Sequence, residues 1–187
     1  MNQIFTNIYD KKKWGNGSGV GSSIRYNKKF IPFLQKLVNE NNTILDLGCG
    51  DFNYTSQIDF SNKTYIGIDC VESVIEKNNK YYSNSNIHFK CCDIFDYTIP
   101  NNVDLIIIKD VLQHWTNENI IEFLDKLPKV KTIIVNTKPK TKNLDVKRNI
   151  DNRYVYSALS LNKYPLNVYD IKHEFNYYYK EVGILHY

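Results

Sequence analysis

The stretch Ile44-Leu45-Asp46-Leu47-Gly48-Cys49-Gly50-Asp51 constrains this chain more than any other part of it. An apolar run ends in an acidic residue, and two glycines follow one residue apart. Nineteen residues past Gly50, a second apolar run, Tyr65-Ile66-Gly67-Ile68, ends in Asp69. Strand, glycine turn, helix, strand and acid, in that order, lay out a nucleotide-type cofactor site in a parallel α/β sheet. A dinucleotide turn asks for a third glycine three residues after the second, and that position is Asn53. The acid two residues before the first glycine suits a positively charged cofactor better than a pyrophosphate.

At 187 residues the chain is expected to be one domain around one core. Its formal charge of +4 is too weak to imply a nucleic-acid partner by itself. No run approaches the ~18 apolar residues of a membrane helix. Lys11, Lys12 and Lys13 have no apolar segment behind them, so no signal peptide is expected. The expected location is cytoplasmic. A single alanine, Ala158, among abundant Asn, Lys, Ile and Tyr points to an AT-rich genome, so a viral source would mean the host cytoplasm. Cys49, Cys70, Cys91 and Cys92 form no CxxC pair; they are read as free thiols near the cofactor, and no metal site is expected.

Three stretches follow in order. Residues 1–26 are polar, with a Gly/Ser-rich second half, and are expected to form a lid or substrate loop. Residues 27–136 read as the cofactor-binding core. Residues 137–187 read as closing strands on the substrate side. Apolar spacing predicts a helix over Asn27–Asn39, with Pro32 tolerated in its first turn. Strands are expected at Thr43–Leu47, Tyr65–Ile68, Ile87–Cys91, Val103–Ile108 and Lys131–Val135. Helices are expected at about 52–58, at Val71–Tyr81, and at Asn117–Leu127 with Thr116 as N-cap. Thr141–Asn152 reads as loop. Leu166–Ile171 and Tyr177–Leu185 read as strands, with Tyr177, Tyr178 and Tyr179 on alternate faces. Strands alternating with helices, then two closing strands, argue a three-layer α/β domain.

Four segments stand in sequence: Trp14–Ser22 (W-G-x-G-S-G-x-G-S), Leu45–Asp51 (L-D-L-G-C-G-D), Gly67–Asn78, and Lys109–Trp115 (K-D-V-L-Q-H-W). Together they resemble class I S-adenosylmethionine-dependent methyltransferases, and within them a group of small bacterial and viral members. The resemblance covers Thr43 to about Val135. It implies a Rossmann-like, mostly parallel seven-stranded sheet and S-adenosylmethionine as methyl donor, leaving S-adenosylhomocysteine. It also implies cofactor contacts from Asp46, Gly48, Cys49, Gly50, Asp69, Cys70, Asp93, Ile94 and Lys109. Asp46 falls near the amino group and sulfonium, Asp69 at the ribose hydroxyls, and Asp93 at the adenine amino group. Trp14, Gly17 and Ser18 belong to the lid.

The acceptor is expected at the end of the fourth strand. The D/N-P-P-Y/F signature of base-amino methylation is absent there, and the pattern of ribose 2′-O-methyltransferases is not evident, so nucleic acid is disfavoured. A small-molecule or glycan-linked acceptor is expected, with sugar O-methylation leading by analogy. An alcohol must lose a proton on methylation, and a positioned base supplies ~10²–10⁴-fold. His114 is the first candidate because an unperturbed histidine titrates near ~6.5, and Asp110 is the second. The rivals are an RNA or DNA methyltransferase and a non-catalytic cofactor-binding module.

Overall fold

The computed structural model of the chain describes residues 2–139 and 157–187. Seven strands form a single mostly parallel sheet: β1 Thr43–Leu47, β2 Thr64–Asp69, β3 Ile87–Cys91, β4 Leu105–Lys109, β5 Lys131–Thr137, β6 Ile171–Tyr177 and β7 Lys180–Leu185. Their order is β3-β2-β1-β4-β5-β7-β6. The first five follow the doubly wound α/β arrangement, in which ligands gather beyond the carboxyl ends of the strands. The chain separates into two compact units, Met1–Ile106 and Ile107–Tyr187.

In the first unit, β1 pairs in parallel with β2 (Thr43↔Thr64), and β2 with β3 (Tyr65↔Ile87). Every residue of β1 is buried, as a central parallel strand requires. Strand β4 begins at Leu105, two residues after its expected start at Val103, with Asp104 left outside it. The Asp104 carboxylate turns back to accept from the N–H groups of Asn42 (2.9 Å) and Thr43 (2.8 Å), which holds the start of β1. Helix α1, Asn2–Asp10, was not expected from the polar reading of residues 1–26. Ile4, Phe5, Ile8 and Tyr9 give it an apolar face, and Ile8 is buried. Helix α2, Phe30–Glu40, matches its expected span closely, and α3, Glu72–Tyr82, starts after Val71. The helix expected over residues 52–58 is only a 3-10 turn, Thr55–Gln57. Phe52 takes a left-handed φ of 55° to enter an aromatic cluster, with ring centroids 5.1 Å from Tyr65 and 5.0 Å from Phe89. That bend uses up the turn a longer helix would need.

In the second unit, α4 spans Asn117–Asp125, and Thr116 Oγ1 caps it by accepting from Asn119 N–H at 3.2 Å. Strand β7 runs antiparallel to β5 (Thr137↔Lys180) and to β6 (Tyr177↔Lys180), with a register shift between His173 and Phe175. Two expectations are corrected here. Leu166–Ile171 is not a strand: Leu166–Val168 is a 3-10 turn, and β6 begins only at Ile171. Tyr177–Leu185 is not one strand either. Tyr177 ends β6, Tyr178 and Tyr179 make the hairpin turn with Tyr178 at φ 55°, and β7 starts at Lys180. The loop expected over Thr141–Asn152 lies outside the described residues. Among the described residues, no helix is long and apolar enough to cross a membrane.

Candidate functional site

The carboxyl ends of β1 and β2 carry the first cluster. Gly48 and Gly50 both adopt positive φ, 79° and 55°, a conformation open to glycine with little strain. The N–H groups of Gly48 and Cys49 donate to the Ile68 carbonyl at 2.8 and 3.0 Å, which pins the turn to β2. Gly50 N–H donates to Asp69 Oδ2 at 3.0 Å, and Val71 N–H donates to Asp69 Oδ1 at 3.1 Å. The acid at the end of β2 is thus aimed by backbone donors, Gly50 on one oxygen and Val71 on the other. Burial pushes its carboxyl above the usual range, and the backbone donors work against that rise. Asn78 of α3 supports the turn from behind, its Nδ2 donating to the Gly50 carbonyl at 2.7 Å, while its buried Oδ1 has no partner.

Asp46, the acid of β1, is buried and accepts from the Tyr65 hydroxyl at 2.8 Å. Cys49 sits among the acids. Burial first, then the carboxylates of Asp69, Asp46 and Asp51, push its thiol well up. The field over this turn is therefore negative. Burial, followed by Asp69 and Asp93, lifts the Cys70 thiol to about 12. Asp93 is half-buried and takes Phe95 N–H on Oδ1 at 3.2 Å, capping the short turn that holds Ile94. The four cysteines are free thiols.

The N-terminal loop lies directly on the glycine turn. Ser18 N–H donates to Asp51 Oδ2 at 2.9 Å, and Asp51 N–H donates back to Ser18 Oγ at 2.7 Å. Tyr9 Oη shares a hydrogen bond with Ser18 Oγ at 2.6 Å, and Ser22 Oγ reaches Asp51 Oδ2 at 3.3 Å. A Cβ on Gly17 would fall 2.0 Å from Asp51 Oδ2, and one on Gly50 would fall 2.4 Å from Ser18 Oγ. Trp14 packs on α1, its ring 6.1 Å from Phe5 and 5.8 Å from Tyr9. Burial, then Asp69, raises the Tyr9 phenol. Tyr9, Asp51, Tyr65 and Asn78 were given no role from the sequence. Asp51 and Asn78 close two of the sequence motifs and Tyr65 begins the second apolar run, whereas Tyr9 had no local signal.

Lys109, Asp110 and His114 belong to the second unit. Lys109 ends β4, and its buried Nζ donates to Asp110 Oδ2 at 2.8 Å. Lys180 Nζ donates to Asp110 Oδ1 and, at 2.8 Å, to Thr137 Oγ1. Burial alone would raise the Asp110 carboxyl, but Lys109 and Lys180 outweigh it and bring it to about 2. His114 closes a 3-10 turn, Leu112–His114, and is half-buried. The preceding Gln113 is fixed by accepting Thr137 N–H on Oε1 at 2.9 Å.

The chain matches the methyltransferase domain family over residues 38–180 and belongs to that family. It is 30% identical over 96 residues to phosphoethanolamine N-methyltransferase 1 of Zea mays, a match covering 48% of this chain and 19% of that protein. The chain thus matches about a fifth of the length of that curated relative. Its fold is similar to that of the 1,6-didemethyltoxoflavin-N1-methyltransferase of Burkholderia thailandensis, solved with its substrate and S-adenosylhomocysteine: TM-score 0.69, 13% identity, 100% of this chain and 87% of that one. It is also similar to the magnesium protoporphyrin IX methyltransferase of Synechocystis PCC 6803, solved with S-adenosylmethionine: TM-score 0.64, 16% identity, 100% and 97%. At these identities the likeness is one of fold, the Rossmann-like class I methyltransferase sheet.

Proposed function

We propose that this chain transfers a methyl group from S-adenosylmethionine to a small-molecule acceptor. The observation that carries the reading is the placement of three carboxylates, Asp46, Asp51 and Asp69, around the Gly48–Gly50 turn. Such a turn favours a cationic cofactor and disfavours a pyrophosphate. Asp69 suits a ribose diol, because a half-buried carboxylate gains from hydroxyl donors. Asp46 suits the positive end of the cofactor, and Asp93 with Ile94 suits the adenine. When bound, the cofactor supplies a methyl group activated by a sulfonium.

The remaining work falls to this chain's own residues. The acceptor has to be held in line, and positioning of that kind reaches effective molarities of ~10⁵–10⁸ M. His114 takes the acceptor's proton. Asp110, gripped by two ammonium groups, serves as an anchor and not as a second base. The Trp14–Gly19 loop covers the glycine turn. Within this reading, O-methylation of a sugar is the first acceptor class, by analogy with the small bacterial and viral group that the chain resembles. The match to the maize enzyme favours a second class, a small amine such as phosphoethanolamine.

Calorimetry with S-adenosylmethionine, S-adenosylhomocysteine and a nicotinamide dinucleotide tests the cofactor. Micromolar binding of the first two and none of the third is expected, and Asp46→Asn is expected to narrow the preference for the sulfonium form by about tenfold. Tighter dinucleotide binding would overturn the reading. Turnover is tested with labelled cofactor against sugars, phosphoethanolamine and RNA. His114→Ala is expected to lose ~10²-fold in kcat with cofactor affinity intact, and a loss under ~10-fold removes the base role. Cofactor binding without turnover on any acceptor would instead support a non-catalytic module.

A further inference from the structure

Lys180 stands outside every motif that marks the cofactor turn. Its side chain is buried at the start of β7, and it reaches back across 70 residues of sequence to Asp110. A lysine is a costly residue to bury, so its presence there calls for a task.

Asp110 supplies the task. It has a φ of 63°, in the left-handed region that residues with a side chain seldom enter. Such a conformation persists only where the surroundings fix it from several sides. Here the Asp110 N–H donates to the Val135 carbonyl at 2.8 Å, and the carboxylate is held by Lys109 and Lys180. Lys180 is itself fixed. It sits opposite Thr137 in the β5–β7 register, donates to Thr137 Oγ1, and lies 5.1 Å from the Tyr179 ring centroid. Thr137 closes the ring through its N–H, which donates to Gln113 Oε1 at 2.9 Å. Lys180 therefore grips the residue at the head of the Val111–His114 loop. Through Thr137 it also holds the residue just before the histidine.

We infer that Lys180 is a positioning residue: it holds Asp110 left-handed and fastens both ends of the Val111–His114 loop, and so sets where the His114 ring stands. The placement of the loop follows from this geometry alone. Its bearing on catalysis rests on the role proposed above for His114.

The test reads the loop directly, without needing the acceptor. Amide resonances of Val111–His114 and the ring titration of His114 are followed by NMR in Lys180→Met, Lys180→Arg and Asp110→Gly/Lys180→Met. In Lys180→Met the loop amides shift several times more than those of Gly48–Asp51, and the His114 titration midpoint moves. Lys180→Arg restores both. The double variant keeps the Val111 end of the loop in place, because glycine adopts the left-handed conformation with little strain and leaves no half-buried carboxylate to satisfy. Unmoved loop resonances in a folded Lys180→Met overturn the inference. So does a displaced Val111 end in the double variant, which decides the matter if the single variant does not fold. A displaced loop alongside a harmless His114→Ala would keep the clamp and reject the base.

Discussion

Substituting alanine for Gly50 tests whether the N-terminal loop and the cofactor turn are one structure. The left-handed φ of 55° costs an alanine roughly 1–2 kcal/mol. The new Cβ would also stand 2.4 Å from Ser18 Oγ and 3.1 Å from Ser18 Cβ, so Ser18 has to move. Moving it breaks the hydrogen bonds of its hydroxyl to Tyr9 and Asp51 N–H, about 1 kcal/mol each. The expected loss for Gly50→Ala is then about 3–4 kcal/mol, and for Ser18→Gly about 2 kcal/mol. With Ser18 already reduced to glycine, Gly50→Ala carries only the backbone strain. The double variant is therefore expected to lose about 3–4 kcal/mol, not the roughly 5–6 kcal/mol of simple addition. Urea unfolding of the four chains measures this, and calorimetry with S-adenosylhomocysteine follows the site in parallel. Additive losses would refute the reasoning, because they would mean that Ser18 does not rest on Gly50.

Two further outcomes follow from the carboxylates of Asp46 and Asp110. Tyr65→Phe removes a donor from Asp46 Oδ2 and is expected to cost roughly 1–3 kcal/mol in urea unfolding; a change below about 0.3 kcal/mol would refute that bond's role. The Asp110 carboxyl is depressed to about 2 in the folded chain. Its contribution of roughly 2 kcal/mol is therefore fully present above the ordinary carboxylate range and is lost as pH falls through that range toward 2. Denaturant unfolding at pH 5 and pH 2.5 reads the difference, and Lys180→Met should flatten it.

The parts of this fold legible in the sequence are those fixed by local pattern. β1 and β3 fall on their expected spans because short apolar runs beside turn residues leave little choice. β4 starts later than the apolar run because Asp104 is used to hold β1. The β6–β7 hairpin was hidden by composition: three consecutive tyrosines favour strand, no glycine or asparagine marks the bend, and Tyr178 is forced left-handed. The site divides in the same way. Asp46, Gly48, Gly50 and Asp69 could be read because their spacing is itself the signal. Ser18 meets Asp51 across 33 residues and Lys180 meets Asp110 across 70, and no short-range pattern encodes such pairs. Helix α1 was missed because its apolar face is short and sits in an otherwise polar segment.

The place of β7 in the sheet bears on how the molecule is made. β6 is synthesised before β7 but joins the sheet only by pairing with it. At ~5–20 residues per second, a growing chain carries its glycine turn and its histidine loop for seconds before Lys180 appears. During that interval Asp110 lacks one of its two cations, and the histidine loop lacks its fastening. A nascent chain can thus form the glycine turn before the residue that arrests its histidine loop, so an ordered glycine turn is no sign that the loop is set.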